Sequence, residues 1–303
     1  MNLLGEYING NYFVRIYGDG TKIRENDLDV FIPEYPESMD LKITNSCDMM
    51  CAYCHEDSKP DGRHGDILHL PFLDSLLPYT EIAIGGGNPL SHPDLVPFLK
   101  LLRERKLIPN ITVNQAHFLK NIPLLQSLTE QGLLFGLGVS FSYVHGEQMQ
   151  QLIDGLRKFP NAVLHVINGV VSIKDLESIA GKNFKVLILG YKDFRRGVFH
   201  HTQNTSQISA NQECLYKELP RIIQEGWFDV VSFDNLAIKQ LNVQRLMSKD
   251  AWDRFYMGDD GTFTMYVDAV NWKYAVSSVS ENRYDITDDI TQMFETVRKE
   301  KAK

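Results

Sequence analysis

The sequence predicts an α/β fold built on parallel strands, and two observations carry that prediction. Short apolar runs over residues 41–44, 81–84, 110–113, 134–141, 162–167 and 184–189 read as six strands. Stretches of helical periodicity fall between them, over residues 70–77, 93–106, 122–131, 146–159 and 173–180, so each strand but the last leads into a helix. Strands that alternate with helices need crossover connections, which makes neighbours parallel. The helices then cover the sheet on one side, as in a barrel, or on both, as in an open sheet.

The elements follow in chain order. Residues 12–17 and 21–24 flank the turn-former Gly18-Asp19-Gly20, a hairpin pattern, so residues 1–39 read as an N-terminal β-hairpin extension. Pro33 and Pro36 punctuate the chain before the first core strand. Residues 40–195 hold the strand and helix repetition. After about residue 196 the rhythm breaks into the polar run from His200 to Gln207, followed by a helix near residues 214–224. In the aromatic-rich end, residues 255–268 read as a turn then a strand, with a partner at 272–277. That pair is expected to form a hairpin capping the core, its aromatic residues serving as lid packing or as a substrate cage. Residues 196–303 thus form a C-terminal α+β extension that acts as a substrate lid. No internal repeat recurs at a fixed period.

With 303 residues and 43% hydrophobic composition, the chain can build one large core, or a core and a small lobe. Its formal net charge of -8 argues against broad electrostatic binding to nucleic acid, which needs clustered Lys and Arg facing phosphates. The basic run at 298–303 is short and mixed, as a solvated helix end is. No stretch of roughly 18 apolar residues occurs, and the first residues lack a basic region followed by an apolar one, so the expectation is a cytoplasmic protein with no membrane partner. Four cysteines, three of them within eight positions, are too few and too clustered for a disulfide framework. In a reducing compartment they read as metal ligands or redox groups.

The sharpest feature is Cys47-Asp48-Met49-Met50-Cys51-Ala52-Tyr53-Cys54, a CxxxCxxC run directly after the first core strand. Three thiolates so close can hold three corners of an iron–sulfur cubane and leave the fourth iron open to a substrate or cofactor. Other chemistries fit the same residues. With His55 they make a Cys3His set suited to structural zinc. Cys51-Ala52-Tyr53-Cys54-His55 matches the C-x-x-C-H attachment pattern of c-type haem, which leaves Cys47 unexplained. Cysteines can also be buried simply as small hydrophobes. A second motif, Ile84-Gly85-Gly86-Gly87-Asn88-Pro89-Leu90, stands at the end of the second core strand. Its glycines let backbone approach a ligand closely and Pro89 sets the exit direction, although a glycine-rich turn from strand to helix is ordinary by itself.

With both motifs in place, residues 40–195 resemble the radical S-adenosylmethionine superfamily. That family carries CxxxCxxC after its first strand and a GGE-P motif after its second. The resemblance implies a partial (β/α)6 TIM-like barrel, with one 4Fe-4S cluster on Cys47, Cys51 and Cys54. It implies S-adenosylmethionine bound to the open iron through its amino and carboxyl groups, and an external electron donor such as flavodoxin or ferredoxin. Reductive cleavage then yields methionine and a 5'-deoxyadenosyl radical that takes hydrogen from a substrate. Gly86-Gly87-Asn88-Pro89 matches the second motif except at its acid. Asn88 offers an acceptor without a charge, and charge-assisted bonds are roughly twice as strong, so the backbone carbonyls are expected to carry more of the contact with the cofactor's amino group. By the same resemblance Tyr53 lies beside the adenine, and Ser140, within residues 138–143, contacts the ribose or carboxylate. Asn168 and Tyr191 end the fifth and sixth core strands, on the side where barrel enzymes place their sites.

Substrate choice is expected from the C-terminal extension and the loops at the barrel mouth, because the family core serves many reactions. Cys214 is the only further cysteine, so a complete auxiliary cluster is not expected. It reads either as a buried helix thiol or as a hydrogen-atom donor to a substrate radical. His55, His64 and His69 either line the cluster loop or are polar surface. A peptide is the expected substrate, with a small metabolite or nucleotide as the alternative. In a different class of reading, the chain is a non-catalytic zinc or Fe-S module.

Overall fold

The computed structural model describes residues 2–28, 30–142, 147–256 and 258–301. At its start β1 (Leu3–Asn9), β2 (Tyr12–Tyr17) and β3 (Lys22–Glu25) form an antiparallel sheet in that order. The hairpin around residues 18–20 is as expected. β1 is an addition, hidden in the sequence because Leu3-Leu4-Gly5 blurs the period-two pattern.

The six expected core strands are present as β4 (Ser38–Thr44), β5 (Glu81–Gly86), β6 (Ile108–Asn114), β7 (Gly136–Ser140), β8 (Ala162–Ile167) and β9 (Lys185–Leu189). They are joined in one sheet by β10 (Val230–Phe233), β11 (Thr264–Asp268), β12 (Lys273–Ala275) and β13 (Tyr284–Asp285). The strand order is β10-β9-β8-β7-β6-β5-β4-β11-β12-β13. Every pairing from β10 across to β11 is parallel, and the last two are antiparallel. Among the described residues β10 and β13 have no outer neighbour, so the sheet is open.

The helices are α1 (Leu95–Glu104), α2 (Gln115–Glu130), α3 (Glu147–Leu156), α4 (Ile173–Ile179), α5 (Arg196–Gln224), α6 (Asn235–Leu241), α7 (Lys249–Phe255) and α8 (Ile290–Lys301). Four expectations are corrected. The helix at 70–77 is a single 3-10 turn, Leu73–Ser75, which ends at the extended Leu76; Pro78 disfavours the helical region at Leu77 and Pro71 lies just upstream. The helix expected at 122–131 begins at Gln115, where Asn114 caps it by accepting from the Ala116 N–H. Pro123 sits inside it behind a kink at Asn121, and does not start it. The polar run 200–207 is helical, part of α5, whose kink at Asn204 joins it to the segment expected at 214–224. The strand and helix rhythm therefore does not break at residue 196; α5 leads into β10. The hairpin of β11 and β12 does form, but β11 also pairs with β4, so it extends the main sheet and does not stand apart as a cap. Gly146, the expected start of the third core helix, lies outside the described residues.

Alternation along the core strands decides how the sheet is used. Leu41, Ile43, Ile82, Ile84, Ile111, Val113, Leu137, Val139, Leu164, Val166, Val186 and Ile188 are buried in one core with apolar residues of the helices, such as Phe98, Leu125, Leu152 and Phe294. The intervening positions carry Asp40, Lys42, Ala83, Gly85, Thr112, Asn114, Gly138, Ser140 and His165. Side chains so small and polar cannot fill the space they face, and a cavity of about 290 Å³ remains there.

The N-terminal sheet packs at the other end. Tyr7, Tyr12, Val14 and Ile16 cluster with Ile108 and Phe263, which begin β6 and precede β11. Glu37, fully buried, accepts from the Tyr12 hydroxyl at 2.6 Å and from Arg24 Nε at 2.7 Å, with Lys22 Nζ at 3.3 Å. Burial alone would raise its carboxyl, but the Arg24 hydrogen bond and the Lys22 charge outweigh burial and hold it below the usual value.

Candidate functional site

The loop that leaves β4 folds back on itself. The Cys47 N–H donates to the Lys59 carbonyl at 2.9 Å, the Lys59 N–H to Asn45 at 3.0 Å and the Cys54 N–H to Cys51 at 3.2 Å. Cys47, Cys51 and Cys54 are all half-buried and line the cavity. Burial pushes the Cys47 and Cys51 thiols up, so a metal would have to displace their protons on binding.

Spacing bears on which metal fits. Thiolates around one tetrahedral zinc stand about 3.8 Å apart, given Zn–S bonds of about 2.3 Å. Among the described residues, the metal-capable side chains whose ligand atoms all fall within 4.8 Å of one another are Cys47, Asp48 and His117. The three cysteines with His55 are not drawn together to zinc spacing, whereas a cubane holds its cysteines at separate corners. His55 is pushed down to about 3, by burial first and then by the Lys192 charge, so it is neutral.

The glycine motif is pinned to the cysteine loop by main chain. The Gly87 N–H donates to the Thr44 carbonyl and the Asn88 N–H to the Ser46 carbonyl, each at 2.7 Å. A Cβ on Gly87 would lie 2.3 Å from the Ser46 oxygen. Gly86 has a φ of +110°, and a Cβ there would stand 2.4 Å from the Thr44 oxygen. Glycine is required at both positions for the two segments to touch. Gly85, Gly86 and Gly87 line the cavity, and a Cβ on Gly85 would meet nothing within 4 Å.

The structure brings together seven of the residues singled out from sequence. Cys47, Cys51, Cys54, Tyr53, Gly86, Gly87 and Ser140 all line the one cavity. Tyr143, from the segment that carries Ser140, lies outside the described residues. Others lie apart from that lining. The Asn88 side chain accepts from the Leu90 N–H at 3.2 Å and caps the 3-10 turn Pro89–Ser91, in which Pro89 is buried. Asn168 and Tyr191 are both tied to Gln240: Asn168 Nδ2 donates to its Oε1 at 3.0 Å, and the Tyr191 N–H at 2.9 Å. The Tyr191 hydroxyl donates to the Gly197 carbonyl at 2.8 Å. Cys214 sits on α5 away from the cavity.

Charged groups that the sequence reading passed over occupy the same wall. Lys42 Nζ lies 2.7 Å from Glu56 Oε2 and 3.3 Å from Asp268 Oδ2. Arg195 approaches Glu56 at 3.6 Å, and the Tyr266 hydroxyl donates to it at 3.2 Å. Burial alone would raise Glu56, but the cations around it prevail and hold it down. Lys192 Nζ donates to Ser278 Oγ at 2.9 Å. Further along the strands, loss of surrounding water pushes Asp40, which is open to the cavity, up to about 6 and half-buried His165 down to about 4. A signal for this existed in Met39-Asp40-Leu41-Lys42-Ile43. A parallel strand buried on both faces reads as continuously apolar, so charges at alternate positions mark a wet inner face.

No protein-family model matches this chain, and no curated protein matches it. Its fold is similar to solved structures of Streptococcus suis SuiB. In the complex with precursor peptide SuiA the TM-score is 0.56 at 12% identity, over 87% of this chain and 65% of that chain. With S-adenosylmethionine bound the TM-score is 0.54 at 11% identity, over 88% of this chain and 68% of that one. SuiB alone gives 0.53 at 12%, over the same shares. The chain spans about two thirds of SuiB, and at such identity the likeness is one of fold. Among the described residues no helix is long and apolar enough to cross a membrane.

Proposed function

We propose that the chain is a radical S-adenosylmethionine enzyme acting on a peptide, with a partial (β/α)6 barrel core over residues 40–195, an N-terminal hairpin extension over 1–39, and a C-terminal segment over 196–303 that extends the sheet and supplies Tyr266 and Ser278 to the cavity wall. One observation carries this reading: the CxxxCxxC loop and the glycine turn are bonded to each other through main chain and face one cavity. Three thiols fit a cubane with one open iron. The fold of SuiB, a protein solved with S-adenosylmethionine and with a precursor peptide, supports the cofactor and the substrate class.

Cys47, Cys51 and Cys54 would hold the cluster. Bound there, it would supply the electron, delivered by a flavodoxin or ferredoxin, that cleaves S-adenosylmethionine to methionine and a hydrogen-abstracting radical. The carbonyls of Gly85 to Gly87 would receive the cofactor's ammonium, with Tyr53 against the adenine ring and Ser140 hydrogen-bonding to the ribose or carboxylate. Tyr266 and the cations Lys42 and Arg195 hold Glu56 ionised beneath the cysteine loop, which fixes that loop against the sheet.

The test is metal content. Purified and reconstituted without oxygen, the chain should bind about four iron and four sulfide and cleave S-adenosylmethionine. Changing Cys47, Cys51 or Cys54 to Ala should abolish the cluster absorption, while Cys214→Ala keeps it. Stoichiometric zinc without iron would sink the proposal.

A further inference from the structure

A second cavity, of about 500 Å³, lies where the sheet is open. Three consecutive residues of β10, Val231, Ser232 and Phe233, line it, so it follows the free main-chain edge of that strand rather than one face. Its walls include Trp252, whose ring stacks on Tyr256 at 4.5 Å between centroids, and Phe255, which is 63% exposed.

The first cavity lies next along the same strands. Ser38 of β4 and Thr264 of β11 are register partners and line the second cavity. Two residues further on, about 7 Å along the strands, the partners Asp40 and Tyr266 line the first. Residues two apart share a face, so a single inner surface runs from the open edge to the cysteine loop. At the junction stands Asp40, which accepts no hydrogen bond and forms no ion pair among the described residues. Asp234, Asp260 and Glu56 add their negative fields there against the ammonium of Lys192, itself engaged with Ser278.

Resting on the proposed function, we infer that the substrate is an extended peptide segment that pairs with the free edge of β10 and places a basic side chain against Asp40. The free edge calls for a partner with main-chain amides, because an edge strand offers a row of unpaired N–H and C=O groups. The unpaired carboxylate calls for a cation, and a methylene stem suits the apolar side chains that line the second cavity, such as Phe233 and Trp252. A displaced water shell around Asp40 is exchanged for a charge-assisted bond, which favours the cationic residue over an uncharged one of equal length.

The test uses the full chain and two blocked pentapeptides, acetyl-Thr-Val-Lys-Val-Thr-amide and the same peptide with norleucine for lysine, with binding measured by chemical-shift perturbation. The lysine peptide should bind about tenfold or more tightly, and Asp40→Asn should remove the preference. Asp260→Asn, at the exposed lip, should reduce it in part. Methylating the amides of both valines should abolish binding, as edge pairing requires. No binding of either peptide, no preference for lysine, or a preference that survives Asp40→Asn each overturns the inference. Iron content and cofactor cleavage are assayed on the same preparation. A chain that forms the cluster yet ignores the lysine loses only the docking scheme, and one without iron loses the enzyme reading.

Discussion

At the scale of single residues, Asp40 and Asn88 make separate predictions. The Asp40 carboxyl, open to the cavity, is pushed up to about 6 because protein replaces much of the water around its charge, only partly offset by Lys192, against about 3.9 for a free aspartate. Because the folded value lies above the unfolded one, the chain is favoured with Asp40 protonated, and stability falls as pH climbs from about 4 through about 6. Asparagine matches its shape without the charge, so Asp40→Asn should melt at a higher temperature than the parent at pH 7, with the gain vanishing near pH 4. A gain that is the same at both pH values would show that the charge is not its source. Asn88 stands where the family carries an acid, yet its oxygen is spent on the Leu90 N–H. Asn88→Ala should therefore lower stability by about 1 kcal/mol, one ordinary hydrogen bond, as thermal unfolding will read. The motif spacing made Asn88 visible in the sequence, but the partner of its oxygen was not, since that depends on how the turn closes.

Among the elements, the N-terminal sheet depends on one buried acid. Glu37 precedes β4 and joins β2 and β3 through Tyr12, Arg24 and Lys22. Its folded value is depressed, so its contribution is present above the unfolded value of about 4.3 and fades as pH drops below it. Glu37→Gln should cost about 3 kcal/mol, because it leaves buried cations facing a neutral group. Hydrogen exchange should locate the loss in β1 to β3; uniform exchange across the chain would mean the acid supports the whole fold. The hairpin was legible from Gly18-Asp19-Gly20, but the buried acid was not, since Glu37 comes from beyond the hairpin. Helix boundaries failed for a related reason. Pro123 lies inside α2, where neighbouring packing tolerates the lost hydrogen bond that sequence rules read as a start, and the polar run before residue 214 belongs to α5.

Across the whole molecule, the C-terminal segment is part of the core. β11 covers the edge of β4, and Ile290, Met293, Phe294 and Val297 of α8 are fully buried in the main cluster. Each such side chain is worth about 1.5–3 kcal/mol, and a domain's net stability is only about 5–15 kcal/mol. A chain ended after residue 259 should therefore fail to unfold cooperatively in a thermal melt; a soluble fragment with a sharp transition would contradict this.

The sequence by itself determined the six core strands, the parallel crossover order and the pair of motifs, because strand periodicity and ligand spacing are local properties written within a few residues. Only the tertiary structure decided that β10 and β11 extend the sheet, that Ser38 and Asp40 set two cavities along one strand face, and that Asn168, Tyr191 and Cys214 stand outside the first of them. Those facts rest on which strand neighbours which, and β11 reaches β4 from more than two hundred residues away. A pairing at that separation is set by the packing of the intervening chain and leaves no periodic trace in either segment.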